Sequence, residues 1–381
     1  MKHTRRFEGL CKAAVTVTLL LTFGASSWSQ TSLDSALVGS QAAHEAARAR
    51  GRSGQPAACR RDTTPHKVTF VQVEPGVKLE VLDWGGSGEV MVLLTGSGDN
   101  AHVFDYFALQ FTDFFHVIGI TRRGWLPSSQ PKNGYDVETR ATDDIKVLDA
   151  FGIKKAVFVG HSIAGAELSK IGAKYPSYVD KLVYLDASDL SERNTFPDVP
   201  SPFDLITDAD ARSIFTFQAA YARLLGVREP IMPICLSFAF DKDGMVTGTS
   251  TPDSIIAQLS AGVNIPENPP TNWADIKAPR LGIVAPPTAE SKLPWYSYLS
   301  PTDQAVFDER FPRLLQWYSD VIDKFAETHP GPPPARSIIT ARCSTLCVHK
   351  QRGGGRAADA EVLRVACWGK LTSDSLNQAT Q

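Results

Sequence analysis

The chain has almost no net charge and no apolar run long enough to cross a membrane. Its 39 Lys and Arg residues nearly balance 41 Asp and Glu residues, so the formal net charge is −2. No summed field therefore draws the protein toward nucleic acid or an anionic membrane surface, and neither is an expected partner. The 381 residues are 43% hydrophobic and 21% charged, which predicts one large or two modest globular domains.

The sequence also lacks the motifs that bind cofactors and metals. No phosphate-binding glycine loop is present, and Gly96-x-Gly98 lacks the third glycine and the downstream acidic residue of a dinucleotide fingerprint. Cys343-x-x-x-Cys347, with His349 nearby, has no second ligand pair at zinc-finger spacing. We therefore expect neither a cofactor nor a metal, and a small molecule as the substrate.

Residues 1–29 have the pattern of a secretory signal peptide. Basic residues precede the apolar run Ala13–Phe23, and small residues follow it. That run is shorter than the roughly 20 residues of a spanning helix. We expect cleavage near Ser29 and export to the periplasm or the medium, with no membrane attachment afterwards; an uncleaved anchor is the alternative. Residues 30–65 contain few large apolar side chains, which is typical of a mobile leader.

From residue 66 onward, short apolar strands alternate with helical segments. The predicted strands are Val68–Val73, Lys78–Asp83, Val90–Leu94, Phe115–Ile120, Ala156–Gly160 and Lys181–Asp186, and the predicted helices are Val137–Ala150 and Ile163–Lys174. This alternation predicts an α/β fold with a mainly parallel sheet covered by helices on both faces. Residues 190–276 lose the alternation and are interpreted as an inserted helical cap. The strand and helix pattern resumes over residues 277–330.

The segment Gly160-His-Ser162-Ile-Ala-Gly165 follows a buried strand and opens a helix. A serine in so tight a turn projects its hydroxyl above the sheet, and small neighbours let the flanking backbone pass close by. The amide of Ile163, in the first helical turn, points toward a developing oxyanion. Ser162 is therefore the predicted nucleophile, although a serine that merely fits a crowded turn is the alternative. His161 is interpreted as a packing neighbour.

With these motifs, residues 66 to about 328 resemble the α/β-hydrolase superfamily. The loop that begins at Thr95 lies where that family has its H-G-x oxyanion loop, and Thr121-Arg-Arg-Gly-Trp-Leu-Pro-Ser128 is similar to its D-x-R-G-x-G-x-S loop. The resemblance implies an oxyanion hole formed by the amides of Ser97 and Ile163, with Gly96 beside them. Residues 66–189 and 277–330 are then the two parts of the hydrolase core. A serine nucleophile, where epoxide hydrolases have aspartate, points to esters or related acyl substrates.

The acid and the base of a catalytic triad are harder to locate. Asp186, at the end of a predicted strand, and Glu290, late in the loop after another, are both candidates for the acid. The family's histidine follows the last strand, and neither His329 nor His349 has a convincing context there. The sequence therefore predicts a serine hydrolase acting on a small ester, with a non-catalytic ligand-binding or scaffold protein on the same fold as the alternative.

Residues 331–381 are interpreted as an irregular tail, and we hypothesise that they are translated from a shifted frame. Reading residues 345–364 one base later through permitted codons can give H-Y-V-F-I-S-N-E-A-A-D-V-L-R-M-R-K-F-L, which resembles the family's ending with its histidine. Under this hypothesis Cys59 and Cys235 are the two mature cysteines and can form one disulfide. The oligomeric state is not predicted.

Overall fold

A computed structural model describes residues 59, 62–187, 230–264, 271–284, 296, 299–327, 336–340, 347–351 and 361–366. The predicted signal peptide, most of the leader, Glu290 and His329 lie outside these residues, as does most of the predicted cap. Among the helices described, none is both long enough and apolar enough to span a bilayer. The domain boundaries predicted above stay predictions.

Within the described residues, ten strands form one sheet in the order β1-β2-β4-β3-β5-β6-β9-β10-β12-β11. The pairs β1/β2, β2/β4 and β11/β12 are antiparallel, and the other neighbours are parallel. The predicted mainly parallel sheet is confirmed. The strands are β1 Lys67–Glu74, β2 Val77–Gly85, β3 Glu89–Leu94, β4 Phe115–Ile120, β5 Ala156–His161, β6 Val179–Leu185, β7 Phe238–Phe240, β8 Val246–Thr249, β9 Arg280–Val284, β10 Arg336–Thr340, β11 Cys347–Gln351 and β12 Glu361–Ala366.

The helices connect these strands and cover the sheet. They are α1 Asp105–Ala108, α2 Val137–Phe151, α3 Ala164–Lys174, α4 Ile231–Ser237, α5 Asp253–Asn264 and α6 Pro301–Glu327, with 3₁₀ turns at Ala101–Phe104, Pro176–Tyr178 and Trp273–Asp275. Helix α2 begins after Asp136, whose Oδ1 accepts from the amide of Thr139 at 2.8 Å. It ends at Gly152, whose φ of +68° lies in the left-handed region that glycine adopts readily because it has no Cβ.

Successive side chains of the central strands enter two different hydrophobic cores. In β3, Met91 and Leu93 belong to one core, and Val92 and Leu94 belong to the other. Side chains alternate between the two faces of a strand, so an unbroken apolar run marks a strand covered on both sides. This explains why β3 was recognisable from the sequence. The polar loops that follow the strands lie at the carboxyl ends of the strands.

Two parts of the chain show structure that the sequence pattern did not indicate. Strands β7 and β8 form an antiparallel pair within the region predicted as a helical cap. Strands β10, β11 and β12 lie within the predicted irregular tail, and β10 pairs in parallel with β9. Strand pairing is made by backbone groups, so it does not require the side-chain periodicity that sequence analysis detects.

The N-terminal segment is attached to the core by the disulfide Cys59–Cys235, which confirms that pairing. The two Cα atoms lie 5.5 Å apart, and the two residues are separated by 176 positions in the sequence. Both cysteines are buried in the core that also contains Trp84 and Phe307. The disulfide therefore joins the end of the predicted leader to helix α4.

Replacing both cysteines, as Cys59→Ala/Cys235→Ala, is expected to lower the free energy of unfolding by about 2–5 kcal/mol. The cross-link closes a long loop, so its removal returns chain entropy to the unfolded state. Urea denaturation of the variant and of the oxidised parent measures the difference. The parent unfolded in reductant is the matched control and should reproduce most of the loss. A change within about 0.5 kcal/mol, the range of neutral surface substitutions, would contradict this expectation.

Candidate active site

Three neighbouring strands bring the predicted site residues to one edge of the sheet. Strand β3 pairs in parallel with β5, with Leu94 opposite Gly160, and β5 pairs with β6, with His161 opposite Leu185. The loop that starts at Thr95, the turn at Ser162 and the residue Asp186 each follow one of these strand ends directly. Since parallel strands end at the same edge, all three lie side by side.

Ser162 occupies a strained turn between β5 and α3. Its φ is +54°, in the left-handed region that side chains other than glycine rarely adopt. Its amide donates to the Leu185 carbonyl at 3.3 Å, and its carbonyl accepts from the Gly165 amide at 3.0 Å. A left-handed residue costs roughly 1–2 kcal/mol, and such strain concentrates at functional sites.

The glycine two residues earlier is required by close packing of the helix on the strand. A Cβ added to Gly160 would lie 2.8 Å from Leu168 Cδ1 and 3.0 Å from Ala164 Cβ, both on α3. The first distance is shorter than real Cβ contacts and the second is tighter than most, so a larger residue at position 160 would require Leu168 or α3 to shift. The small residues of the motif therefore set the sharp angle at which the chain turns around Ser162.

Asp186 is strained in the same way on the neighbouring strand. Its φ is +44°, and its amide donates to the Ile283 carbonyl at 2.7 Å. Of the non-glycine residues in the described parts of the chain, Ser162 and Asp186 alone have a positive φ. The two residues thus share an unfavourable backbone conformation, and both lie at the carboxyl edge of adjacent strands.

The predicted oxyanion amides belong to the residue that follows Ser162 and to the loop after the neighbouring strand β3. Ile163 is the N-cap residue of α3, with a φ of −60° and a ψ of −20°. The first amides of a helix have no acceptor within it, and the helix dipole favours negative charge beside them. Gly96 and Ser97 follow β3, which is the strand next to β5. The strand order thus brings the loop that contains Gly96 and Ser97 next to the turn at Ser162.

Arg122, which follows β4, fixes the loop that carries Gly96 and Ser97. Its guanidinium donates to the Thr95 carbonyl at 2.9 Å and to the Gly96 carbonyl at 3.2 Å. It also makes a bidentate pair with Glu167 of α3, with distances of 2.7 and 2.9 Å. The same side chain thus connects the loop after β3 to α3, the helix that follows Ser162.

Glu167 is a buried carboxylate whose charge is maintained by two arginines. Burial alone would raise its pKa, but the charges of Arg122 and Arg140 hold the pKa of Glu167 below its ordinary value. Arg140 lies 3.1 Å from Glu167 Oε1. The Arg122–Glu167 pair is therefore ionised at neutral pH, and Arg122 holds the loop that contains Gly96 and Ser97 by charge-assisted hydrogen bonds.

Two further titratable groups lie beside this network. Burial and the charge of Arg122 together lower the pKa of His161 to about 4, so the ring is neutral at pH 7. Burial raises the pKa of Asp99 to about 7 against the opposing charge of Arg122. Asp99 belongs to the loop after β3, so a carboxyl group that titrates near neutrality lies within the candidate site.

The Arg122→Met variant is expected to lose about 3–5 kcal/mol of unfolding free energy and most of its reactivity toward a fluorophosphonate. The change removes the partner of the buried Glu167 carboxylate and the hydrogen bonds that Arg122 donates to the Thr95 and Gly96 carbonyls. Arg123→Met is the matched control, because Arg123 makes an equally buried bidentate pair with Asp143 at 2.7 and 2.9 Å. Urea denaturation and the labelling rate of the folded fraction are measured.

Both variants should be destabilised, but the Arg123→Met protein should be labelled at the rate of the parent. Equal labelling of all three folded proteins would contradict a positioning role for Arg122.

Arg122 was recognised from the sequence only as part of the loop that resembles D-x-R-G-x-G-x-S. Its hydrogen bonds to the loop after β3 were not predicted. Of the predicted site residues, the second acid candidate Glu290 lies outside the described residues.

Comparison with known proteins gives matches to hydrolases over part of the chain. A family model described as alpha/beta hydrolase fold matches residues 89–225. The 2-(acetamidomethylene)succinate hydrolase of Mesorhizobium japonicum is 31% identical over 101 residues, which are 26% of this chain and 36% of that protein. Epoxide hydrolase 3 of Mus musculus is 30% identical over 148 residues, covering 36% of this chain and 40% of that protein. The chain thus spans well under half the length of these two curated relatives.

A solved structure of E-2-(acetamidomethylene)succinate hydrolase aligns with 68% of this chain and 99% of its own, with a TM-score of 0.44 and 20% identity. The family match includes the strands that carry the oxyanion loop, Ser162 and Asp186. The mainly parallel sheet has helices between its strands, as that fold requires. Residues 89–225 therefore resemble the α/β-hydrolase family, and the predicted α/β-hydrolase fold is confirmed.

Proposed function

We propose that the protein is a serine hydrolase that cleaves a small ester through an acyl-enzyme. The observation that carries this proposal is the left-handed backbone of Ser162 in the turn between β5 and α3. That conformation is costly for a serine, and it suits a side chain that has to project from the sheet edge toward a substrate. The equally strained Asp186 on the adjacent strand supplies a carboxylate beside the same edge.

The proposed reaction has two stages. A base removes the proton from Ser162 Oγ as this oxygen attacks the ester carbonyl carbon, and the resulting oxyanion accepts hydrogen bonds from the amides of Ser97 and Ile163. The intermediate then collapses, the C–O bond to the alcohol breaks, and the base returns its proton to the leaving alcohol. In the second stage water attacks the acyl-enzyme by the same route and releases the acid and Ser162.

The proposed acid is Asp186, which would orient the base and stabilise its protonated form. The proposed base is a histidine supplied by the tail, in the alternative frame of residues 345–364. A serine hydroxyl attacks an acyl carbon and retains the acyl group, whereas an aspartate nucleophile attacks a saturated carbon and forms an alkyl ester. The proposal therefore favours an esterase over the epoxide chemistry that the name of one relative indicates.

Export from the cell remains part of the proposal. The disulfide Cys59–Cys235 supports it, because such bonds persist in oxidising compartments. The alternative function, a ligand-binding or scaffold protein, is favoured by the absence of a convincing histidine in the printed tail. The substrate would be a small molecule, and no cofactor enters the proposed reaction.

A fluorophosphonate probe tests the proposal, because an activated serine displaces its fluoride and keeps the phosphonyl group. The probe is applied to two chains, one with the printed tail and one with the alternative-frame tail. We expect labelling of at least one of them and none of its Ser162→Ala variant. Ser177→Ala is the matched control, since Ser177 is exposed on the 3₁₀ turn after α3, and it should label normally. Two well-folded but unlabelled chains would instead favour the binding protein.

A further inference from the structure

A second polar cluster lies in the segment before β1 and the short helices after the oxyanion loop. It consists of Asp62, His66, His102 and Asp105. One ligand atom from each residue can be chosen so that all four atoms lie within 4.8 Å of one another. The side chains of His66, His102 and Asp105 are 3%, 4% and 1% exposed, so this cluster is closed off from solvent on most sides.

Each of the four residues directs a polar atom into the cluster without a hydrogen bond. Within the described chain, Asp62 Oδ2, His66 Nδ1, His102 Nδ1 and Asp105 Oδ2 are buried and have no hydrogen-bond partner. Ion-pair contacts join the four side chains. His66 Nδ1 lies 3.1 Å from Asp105 Oδ1, and His66 Nε2 lies 3.2 Å from Asp62 Oδ2. His102 Nδ1 lies 3.1 Å from Asp62 Oδ2 and 3.5 Å from Asp105 Oδ2. These ion-pair contacts lack good hydrogen-bond geometry, and the converging nitrogen and oxygen atoms are of the kind that bind a metal ion.

Asp62, His102 and Asp105 also make hydrogen bonds to residues outside the cluster. Asp62 Oδ1 accepts from the Thr64 amide at 2.9 Å, and Asp105 Oδ1 accepts from the Trp84 indole N–H at 3.0 Å. His102 Nε2 lies 3.3 Å from Glu80 Oε1, and Thr121 donates to Glu80 Oε2 at 2.7 Å.

A carboxylate behind a histidine, with the other ring nitrogen directed inward, is the usual support of a metal-binding histidine. In this cluster the supporting carboxylate is Glu80, and the inward atom is His102 Nδ1. Asp62 and Asp105 each have one oxygen bonded to a residue outside the cluster, and Asp105 Oδ1 also lies 3.1 Å from His66 Nδ1.

We propose that Asp62, His66, His102 and Asp105 form a zinc site. Zinc takes four nitrogen, sulfur or oxygen ligands in a tetrahedron at about 2.0–2.2 Å, which places neighbouring ligand atoms about 3.4 Å apart. The contacts of 3.1 to 3.5 Å are close to that spacing. Calcium and magnesium prefer sites made of oxygen, so two imidazoles select against them. The two aspartates balance the charge of the ion.

The site is structural because four protein ligands leave no open position for water or substrate. Asp62 and His66 come from the segment that follows Cys59, whereas His102 and Asp105 come from the helices that follow the loop containing Gly96. An ion bound here joins the N-terminal segment to the element directly behind the oxyanion loop. The free energy of metal binding therefore stabilises the folded state of this part of the protein.

The test measures zinc in the full chain, purified with a tag that contains no histidine. We expect about one zinc per chain by elemental mass spectrometry after dialysis, a higher melting temperature for the zinc-loaded protein than for the chelator-treated protein, and an intense visible spectrum typical of tetrahedral Co²⁺ after cobalt exchange. His66→Gln and Asp62→Asn should each lose the bound metal and the response of the melting temperature to chelator.

His116→Gln is the matched control, because His116 pairs with Asp83 at 2.9 Å on β4, outside the cluster, and it should keep the metal. If the parent binds no zinc and its melting temperature is the same with and without chelator, the proposal is overturned. Metal that persists in both His66→Gln and Asp62→Asn also overturns it, because the ion would then be held elsewhere. The parent measurement does not depend on whether any variant folds.

Discussion

The Ser162→Ala variant is expected to lose ester hydrolysis by a factor on the order of 10⁶ in kcat, while its fold is unchanged. The change removes the attacking oxygen, and the oxyanion amides alone supply only a small part of the rate. The parent is whichever chain, with the printed or the alternative-frame tail, hydrolyses p-nitrophenyl acetate faster. Release of nitrophenolate is followed by absorbance, and the fold is checked by circular dichroism.

The alanine also tests the backbone strain at this position. Alanine keeps a Cβ, so it pays the same cost of a φ of +54° and should leave the unfolding free energy within about 0.5 kcal/mol of the parent. Ser177→Ala should match the parent in both rate and stability. A Ser162→Ala protein that retains a tenth or more of the parent rate would contradict the assignment of the nucleophile.

The Asp186→Asn variant is expected to lower kcat on the order of 10⁴-fold, with little change in KM. The amide keeps the shape of the carboxylate but cannot stabilise the protonated base or fix its tautomer. Asn tolerates the left-handed region, so the φ of +44° at this position should be preserved. The rate is measured with p-nitrophenyl acetate over a range of concentrations that separates kcat from KM.

Two further variants make the result at Asp186 specific. Asp180→Asn is the matched control, because Asp180 lies on the same strand and pairs with Lys155 at 3.0 Å near the surface. Glu290→Gln tests the other acid candidate. If Glu290→Gln loses the larger share of activity and Asp186→Asn little, then Glu290 is the acid and Asp186 is structural.

The strands that position the site were predictable because each is an unbroken apolar run. Phe115–Ile120 was predicted with the bounds that β4 has, and β3 and β5 differ from their predictions by one residue at one end. The side chains of such strands are covered on both faces, so the run stops where the chain meets polar residues at the sheet edge. The position of Ser162 in a strand-to-helix turn followed directly from that boundary.

The polar contacts around the site were not predictable, because they join distant segments. Arg122 and Glu167 are 45 residues apart, and the sequence does not reveal that a loop after β4 lies against α3. The proposed zinc ligands were missed for a related reason. Asp62 belongs to a segment whose composition predicts a mobile leader, and its contact with His102 depends on how that segment folds back on the sheet.

The tail shows the limit of reasoning from side-chain periodicity. Strands β10, β11 and β12 occur where the printed sequence has no strand pattern, and β12 pairs in parallel with β10. The hypothesis of a shifted frame rests on the coding sequence rather than on these strands. Sequencing the 3′ end of the gene decides it, since a confirmed frame together with a stop codon in the alternative frame would rule it out.

The assignment of Ser162 as the nucleophile is tested most directly by finding which residue carries the acyl group during turnover. The protein is mixed with p-nitrophenyl acetate, quenched in acid and digested with trypsin, and the peptide Ala156–Lys170 is fragmented in a mass spectrometer. If Ser162 is the nucleophile, the acetyl group is on Ser162, and Ser169 of the same peptide carries none. Ester hydrolysis that proceeds with the acetyl group on another residue, and that persists in Ser162→Ala, would contradict this assignment.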